Sequence, residues 1–369
     1  MQGRRKGAAL IMNNGPLTGL KVVEFTGIGP GPHVAMLLAD MGAEVVRIER
    51  EGAQIGNPVV ERARHRVACD LKSDEGRDFV HHALRNADVL IEGFRPGVME
   101  RLGLGPDAVH ADNPRLVYAR MTGWGQDGPL AQAAGHDINY IAITGALAAV
   151  GRRGELPIPP QNLVGDFGGG SMYCALGILA ALFERETSGK GQVVDAAIVD
   201  GATSLMSFFS GVQHVPFLSA ERGKGMLGGA AHFYRCYECA DGSAISVGAI
   251  EPQFYAELLD RMDAPEDLRE GQMNPAEWDE KAEAFAALFK TKTAAQWCEI
   301  LEGTDACVAA VVPLAEAREH PHLKARGSYE ERGGVWHSAP APRFDRTPGT
   351  IRDSAMDGRE VVARWAEGG

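Results

Sequence analysis

The chain has 369 residues, 45% of them hydrophobic, enough for one large domain or two of ordinary size around a substantial core. Its 49 acidic and 37 basic residues leave a net charge of -12, which argues against a nucleic-acid binder, because such a protein needs a basic face to neutralise phosphates. No apolar run reaches the roughly 18 residues of a membrane span, and six cysteines are too sparse for a disulfide framework in a chain of this length. No secretory signal is evident near the start, where the apolar stretch Ala8 to Met12 is short. The expectation is a cytoplasmic protein in a reducing compartment.

Residues 20–25 are mostly apolar, with the β-branched pair Val22-Val23 at the centre, a buried strand. Residues 27–32 turn the chain, 33–41 have helical apolar spacing (Val34, Leu37, Leu38, Met41), and 43–48 form a second strand after Gly42. This βαβ unit predicts a parallel, doubly wound sheet. The alternation repeats with a short strand near 68–71, a helix over 73–86, and strands over 89–92 and 116–121. A helix is expected over 137–150, a tightly packed buried helix over 170–185, then a strand over 192–199 leading into a helix through Phe209.

Residues 211–231 are rich in glycine and small side chains and read as a linker. Beyond them, 234–239 and 244–249 flank Asp241-Gly242 as a hairpin. Helices are expected over 253–262, 277–289, 294–302 and 315–325, and a strand over 307–313. Residues 340–346 read as extended and 361–365 as a last helical turn. The fold class is α/β: a large Rossmann-like parallel-sheet domain and a smaller α+β domain. The expected boundaries are an N-terminal extension 1–14, a large domain 15–210, the linker 211–231, a small domain 232–329 and a C-terminal segment 330–369.

Two blocks carry proton-transfer groups. One is Gly135-His136-Asp137-Ile138-Asn139-Tyr140; thirty residues after His136 comes Asp166, within Gly165-Asp166-Phe167-Gly168-Gly169-Gly170. Imidazole titrates near neutral pH. An exposed aspartate, with a pKa of about 3.9, is too weak a base unless burial raises it. Asp166 before a glycine-rich helix start also reads as an ordinary N-cap, and both roles can hold together. Cys236 and Cys239 lack the further close ligands that zinc requires, His232 excepted, so they read as strand residues facing opposite sides, and no metal is expected. Gly27-x-Gly29-x-Gly31 with Glu49 about 20 residues on imitates a dinucleotide fingerprint. Against it, Pro32 stands where the last glycine belongs, and Pro30 and Pro32 remove backbone donors.

Further blocks are Gly27 to His33, Asp70-Leu71-Lys72-Ser73-Asp74, Phe94-Arg95-Pro96-Gly97-Val98 with Arg101-Leu102-Gly103, Met121 to Gln126, Gly189 to Asp195 and Gly248 to Gln253. With the two proton-transfer blocks they span about Gly15 to Thr347, and they closely resemble the α-methylacyl-CoA racemases, a branch of the family III CoA-transferase superfamily. His136 beside Asp137, together with Glu251, points to the racemase branch.

The resemblance implies racemisation of a 2-methylacyl-CoA at C2 through an enolate. His136 and Asp166 would be the two opposed bases, Glu251 would hydrogen-bond His136 and support its charge, and Asp137 would orient the site. Backbone N–H groups near Gly168 to Gly170 are expected to stabilise the enolate oxygen. Arg50, Lys72, Arg95 and Arg101 would meet the CoA phosphates, Ile28 the pantetheine path, and Ala68 and Gly93 the nucleotide through their backbones. CoA enters as part of the substrate, with no other cofactor. Family members are interlaced homodimers, with the site where the large domain of one subunit meets the small domain of the other and the C-terminal segment returning to the large domain. They begin near Gly15, so residues 1–11 are expected to precede a natural start at Met12. A CoA-transferase, in which the aspartate matching Asp166 forms a mixed anhydride, is the main alternative; a non-catalytic CoA-binding protein is another. Segments 204–219 and 263–275 diverge from the family pattern, leaving the acyl chain open.

Overall fold

The computed structural model describes residues 15–25, 27–53, 56–353 and 356–367; the expected extension 1–14 lies outside them. The chain divides into two compact units. One joins the described residues up to Tyr140 with Asn162–Ala202 and the residues from Gly327 on; the other joins Ile141–Gln161 with Thr203–Arg326.

The first unit holds six strands, β1 (Lys21–Phe25), β2 (Glu44–Glu49), β3 (Arg64–Ala68), β4 (Val89–Glu92), β5 (Val117–Thr122) and β6 (Val193–Ala197). They pair in the order β3-β2-β1-β4-β5-β6, all parallel. Helices cover the sheet, and the apolar side chains of β1, β2 and β4 are buried together with Glu24, Arg47 and Glu92, as strands covered on both faces require. The order reverses between β1 and β4, so a crevice is expected beyond their carboxyl ends.

Strand β3 lies earlier than the apolar pattern suggested. Its arginines hide it, yet their charges are paired: Arg64 Nε donates to Glu24 Oε2 at 2.7 Å and Arg66 Nε to Glu49 Oε1 at 2.9 Å. The first helix is Pro30–Asp40, starting three residues before the expected 33, with Pro30 in its opening turn, where a missing N–H costs nothing. The helix Asp74–Arg85 follows its expected span, capped by Ser73, whose Oγ accepts from the Gly76 N–H. The span 137–150 forms two short helices, Asp137–Ala142 and Ala146–Ala149, separated at Gly145, whose φ is +87°.

A π-helical run, Leu163–Met172, leads directly into the α-helix Tyr173–Ser188. The combined 26 residues are long and apolar enough to cross a membrane by length and composition, an exception to the expectation from apolar runs. Cys174, Ala175, Ile178 and Ala181 are buried in the cluster that includes β5 and β6 side chains, the packing of a sheet-covering helix. The helix Gly358–Ala366 is longer than the single expected turn; Val361, Val362 and Trp365 join the cluster of Val23, Val46 and Val67. Before it, β10 (Tyr329–Arg332) and β11 (Val335–Ser338) form an unexpected hairpin through Gly333-Gly334, both at positive φ.

In the second unit β7 (Tyr234–Glu238), β8 (Ala244–Gly248) and β9 (Val308–Val311) form an antiparallel sheet in the order β7-β8-β9. Gly242 supplies the positive φ of the expected Asp-Gly turn. Cys236 is exposed and Cys239 buried, consistent with strand alternation. Helices Pro252–Met262, Trp278–Phe289 and Ala294–Leu301 pack an aromatic core of Phe233, Tyr255, Phe285, Phe289 and Trp297. Residues 211–231 contain short 3-10 turns, and Met226, Ala230 and Ala231 are buried in that core. The helix expected over 315–325 is split into Leu314–Ala317 and Pro321–Ala325, because His320 before proline is held extended.

Candidate active site

Loops leaving the carboxyl ends of β1, β4 and β5 enclose a cavity of about 690 Å3 in the first unit. Its wall includes Ile28, Gly93, Arg95, His136, Asp137 and Asp166. Six of the sequence-nominated residues therefore share one cavity, located where the strand order reverses.

Asp166 sits in the first turn of the π-helical run, whose N-cap is Asn162. The expected N-cap role is therefore not the one Asp166 fills. The wider π turn instead begins with Phe167 N–H donating to Asn162 O at 3.1 Å, five residues back. The N–H of Asp166 has no place in that ladder and donates to Asp137 Oδ2 at 2.6 Å. Gly29, at φ +72°, lets the carboxylate lie against the β1 loop: a Cβ there would be 3.0 Å from Asp166 Oδ2. Burial first, and then the neighbouring Asp137 charge, push the Asp166 carboxyl up to about 6, with His136 pulling the other way. That is the range a carboxyl needs to exchange protons near neutral pH.

His136 immediately precedes the helix Asp137–Ala142, and that helix grips it. Its N–H donates to Asn139 Oδ1 at 3.1 Å, and its carbonyl accepts from the N–H groups of Asn139 and Tyr140 at 2.8 and 3.2 Å. Tyr140 Oη donates to the Gly135 carbonyl. The Tyr140 ring fills a slot that only glycine leaves open, since a Cβ at Gly123 would fall 2.1 Å from it. Trp124 closes that slot edge-on at 4.8 Å. The backbone on both sides of His136 is thus fixed while its side chain stays exposed. Tyr140 has its phenol pushed up by burial and by Asp166, so it stays protonated as a donor.

Asn139, Tyr140 and His33 were not nominated from the sequence. The paired glycines Gly123 and Gly135 around an aromatic were the available signal for Tyr140. His33 stacks on Phe167 at 4.4 Å, beside Asp166, and burial lowers its pKa to about 4, so it is a neutral packing group. Donors near Gly168 to Gly170 do not meet the expectation of an oxyanion site. These residues lie inside the π run, past the free N–H groups of a helix start. Gly169 and Gly170 are buried where a Cβ would strike Ala202 N at 2.7 Å and Ile198 Cγ1 at 3.1 Å. They serve close packing.

Arg50, Ala68, Lys72 and Arg101 do not line the cavity. Arg50 follows β2 and Ala68 ends β3, its carbonyl accepting from Arg359 Nη2 at 3.4 Å; Lys72 stands just before the helix Asp74–Arg85, and Arg101 in the short helix Val98–Arg101 after β4. All four are exposed, and the three cations have no carboxylate partner among the described residues. Glu251 lies in the second unit, at the N-cap of the helix Pro252–Met262; its carboxylate is exposed and makes no hydrogen bond among the described residues. Pro30 and Pro32 in the opening turn of the first helix, with the Asp166 carboxylate against Gly29, remove the donors and the space a pyrophosphate would use. The dinucleotide alternative fails on that geometry.

Residues 17–355 match the model of CoA-transferase family III. The chain belongs to this family. It is 47% identical to the mouse alpha-methylacyl-CoA racemase over 90% of this chain and 87% of that protein. The human alpha-methylacyl-CoA racemase is 46% identical over the same shares of the two chains. Among solved structures, a CAIB/BAIF family protein from Brucella suis superposes with a TM-score of 0.80 at 25% identity, covering 96% of this chain and 99% of that one.

Proposed function

We propose that this family III protein interconverts the two C2 epimers of a 2-methylacyl-CoA. One base removes the C2 proton, and the C–H pair becomes the C1–C2 π bond of an enolate whose oxygen carries the charge. The opposed acid returns a proton to the other face. His136 and Asp166 serve as the pair, exchanging roles with the direction of reaction. Glu251 supports the imidazolium form of His136, and Asp137 fixes Asp166. The single observation that carries this reading is one cavity holding an exposed imidazole and a carboxyl poised at about 6. High identity to two racemases supports the substrate class.

CoA is held by cations on this reading. Arg95 is in the cavity wall, and Arg50, Lys72 and Arg101 reach outward with no competing carboxylate among the described residues. No other cofactor is required. The working form is a homodimer in which the partner subunit supplies Glu251. In support, the helix Tyr173–Ser188 carries exposed Leu176 and Phe183, the latter 83% accessible, a cost that a second copy removes.

Asp166 also lies open to the cavity as a nucleophile, which favours a CoA-transferase as the second reading. Incubation of a 2-methylacyl-CoA in deuterated water separates the two. Deuterium at C2 with loss of optical purity, without any acceptor acid, is expected. Transfer of CoA to a free acid, with a hydroxylamine-trapped mixed anhydride at Asp166 and no C2 exchange, would establish the transferase instead.

A further inference from the structure

Between the end of β8 and the helix Pro252–Met262 the chain passes through Ala249, Ile250 and Glu251. Two carbonyls in this passage belong to neither element. Both are taken by one side chain: Gln272 Nε2 donates to Ala249 O at 3.0 Å and to Ile250 O at 2.9 Å. A carboxamide nitrogen has two hydrogens, and both are used. Gln272 is 8% exposed, and its backbone carbonyl accepts from Trp278 Nε1 at 2.9 Å. Trp278 opens the helix Trp278–Phe289 and is itself buried, and Lys281 of the same helix donates to the Glu270 carbonyl. The result is a strut from that helix, through Gln272, to the two residues before Glu251.

Glu251 ends this passage with no side-chain bond of its own among the described residues, so what the fold fixes is the backbone from which its carboxylate extends. Its carbonyl already accepts from Phe254 and Tyr255 N–H, each at 3.0 Å, which fixes the far side. Gln272 fixes the near side. We propose that Gln272 is the positioning residue of Glu251, holding the carboxylate where it can meet the catalytic imidazole; this rests on the racemase reading of Glu251. Gln272 touches no substrate.

The test is a double-mutant cycle of Gln272→Met, similar in size but with no donors, against Glu251→Gln, read by C2 deuterium exchange. Gln272→Met is expected to lower kcat on the order of 10- to 100-fold with little change in KM, as misplacing a working group does. Its pH–rate profile should move in the same direction as that of Glu251→Gln, and the double variant should be no slower than Glu251→Gln alone. Gln272→Asn, which keeps both amide hydrogens on a shorter arm, should recover part of the rate; it also replaces Gln272→Met in the cycle if that variant does not fold. Full activity in the Gln272 variants beside a slow Glu251→Gln, or multiplied losses in the double variant, would overturn the strut while leaving the racemase reading intact. Full activity in Glu251→Gln would instead remove the role of Glu251 itself.

Discussion

Asp166 shows how a weak acid becomes a usable one. Its carboxyl is raised from 3.8 to about 6 by burial and by Asp137, so the folded protein binds that proton more tightly than the unfolded chain does. The stability this contributes is complete below about pH 4 and is lost as pH rises through 6, above which the ionised group is a net cost. Asp166→Asn removes the titration. With a discount for partial exposure, the variant is expected to be more stable than the parent at pH 7 by on the order of 1 kcal/mol, and the gap should close as pH falls from 6 to 4. Denaturant midpoints across that range measure it; a variant less stable at pH 7 would contradict the burial cost. That His136 and Asp166 line one cavity was foreshadowed by their two glycine-flanked motifs. The reason Asp166 is held in place was not, because the Asp137 carboxylate that reaches it lies 29 positions earlier and a π turn has no distinct sequence period.

At the scale of elements, the first three strands share one buried charge cluster. Glu24 accepts from Arg47 at 3.0 Å and from Arg64 at 2.7 Å, and Arg64 also donates to the Pro32 carbonyl in the first helix. The cluster ties the sheet to the helix whose start forms part of the cavity wall. Glu24→Ala leaves two buried guanidinium groups short of a partner, and a loss of about 3 kcal/mol is expected in chemical denaturation, the lower end for a broken buried pair because Glu49 and Glu61 remain near Arg47. A loss below about 1 kcal/mol would mean that water reaches the site. The same cluster explains what could be read in advance. Strands β1, β2 and β4 were visible from their paired or clustered valine, isoleucine and leucine residues, and the hairpin from its Asp-Gly turn. Strand β3 was misplaced because its register is set by paired arginines, and the β10–β11 hairpin was missed because its strands are mostly polar and exposed. The glycines at 169 and 170 suggested ligand donors, whereas their contacts are with Ala202 and Ile198.

For the whole molecule, the homodimer proposal makes the active site composite, with His136 from one chain and Glu251 from the other. Mixing and refolding His136→Ala with Glu251→Ala subunits should then restore activity, since one of the two sites in each mixed dimer recovers both residues. Inactive mixtures would place the two groups in the same chain or deny Glu251 a role. Proton transfer between opposed faces of one carbon has a sharper signature. In deuterated water, His136→Ala and Asp166→Ala should each fail to racemise a 2-methylacyl-CoA yet each still exchange the C2 proton of one epimer, and the two variants should choose opposite epimers. Exchange of the same epimer by both variants, or racemisation that survives the loss of His136, would contradict the two-base site.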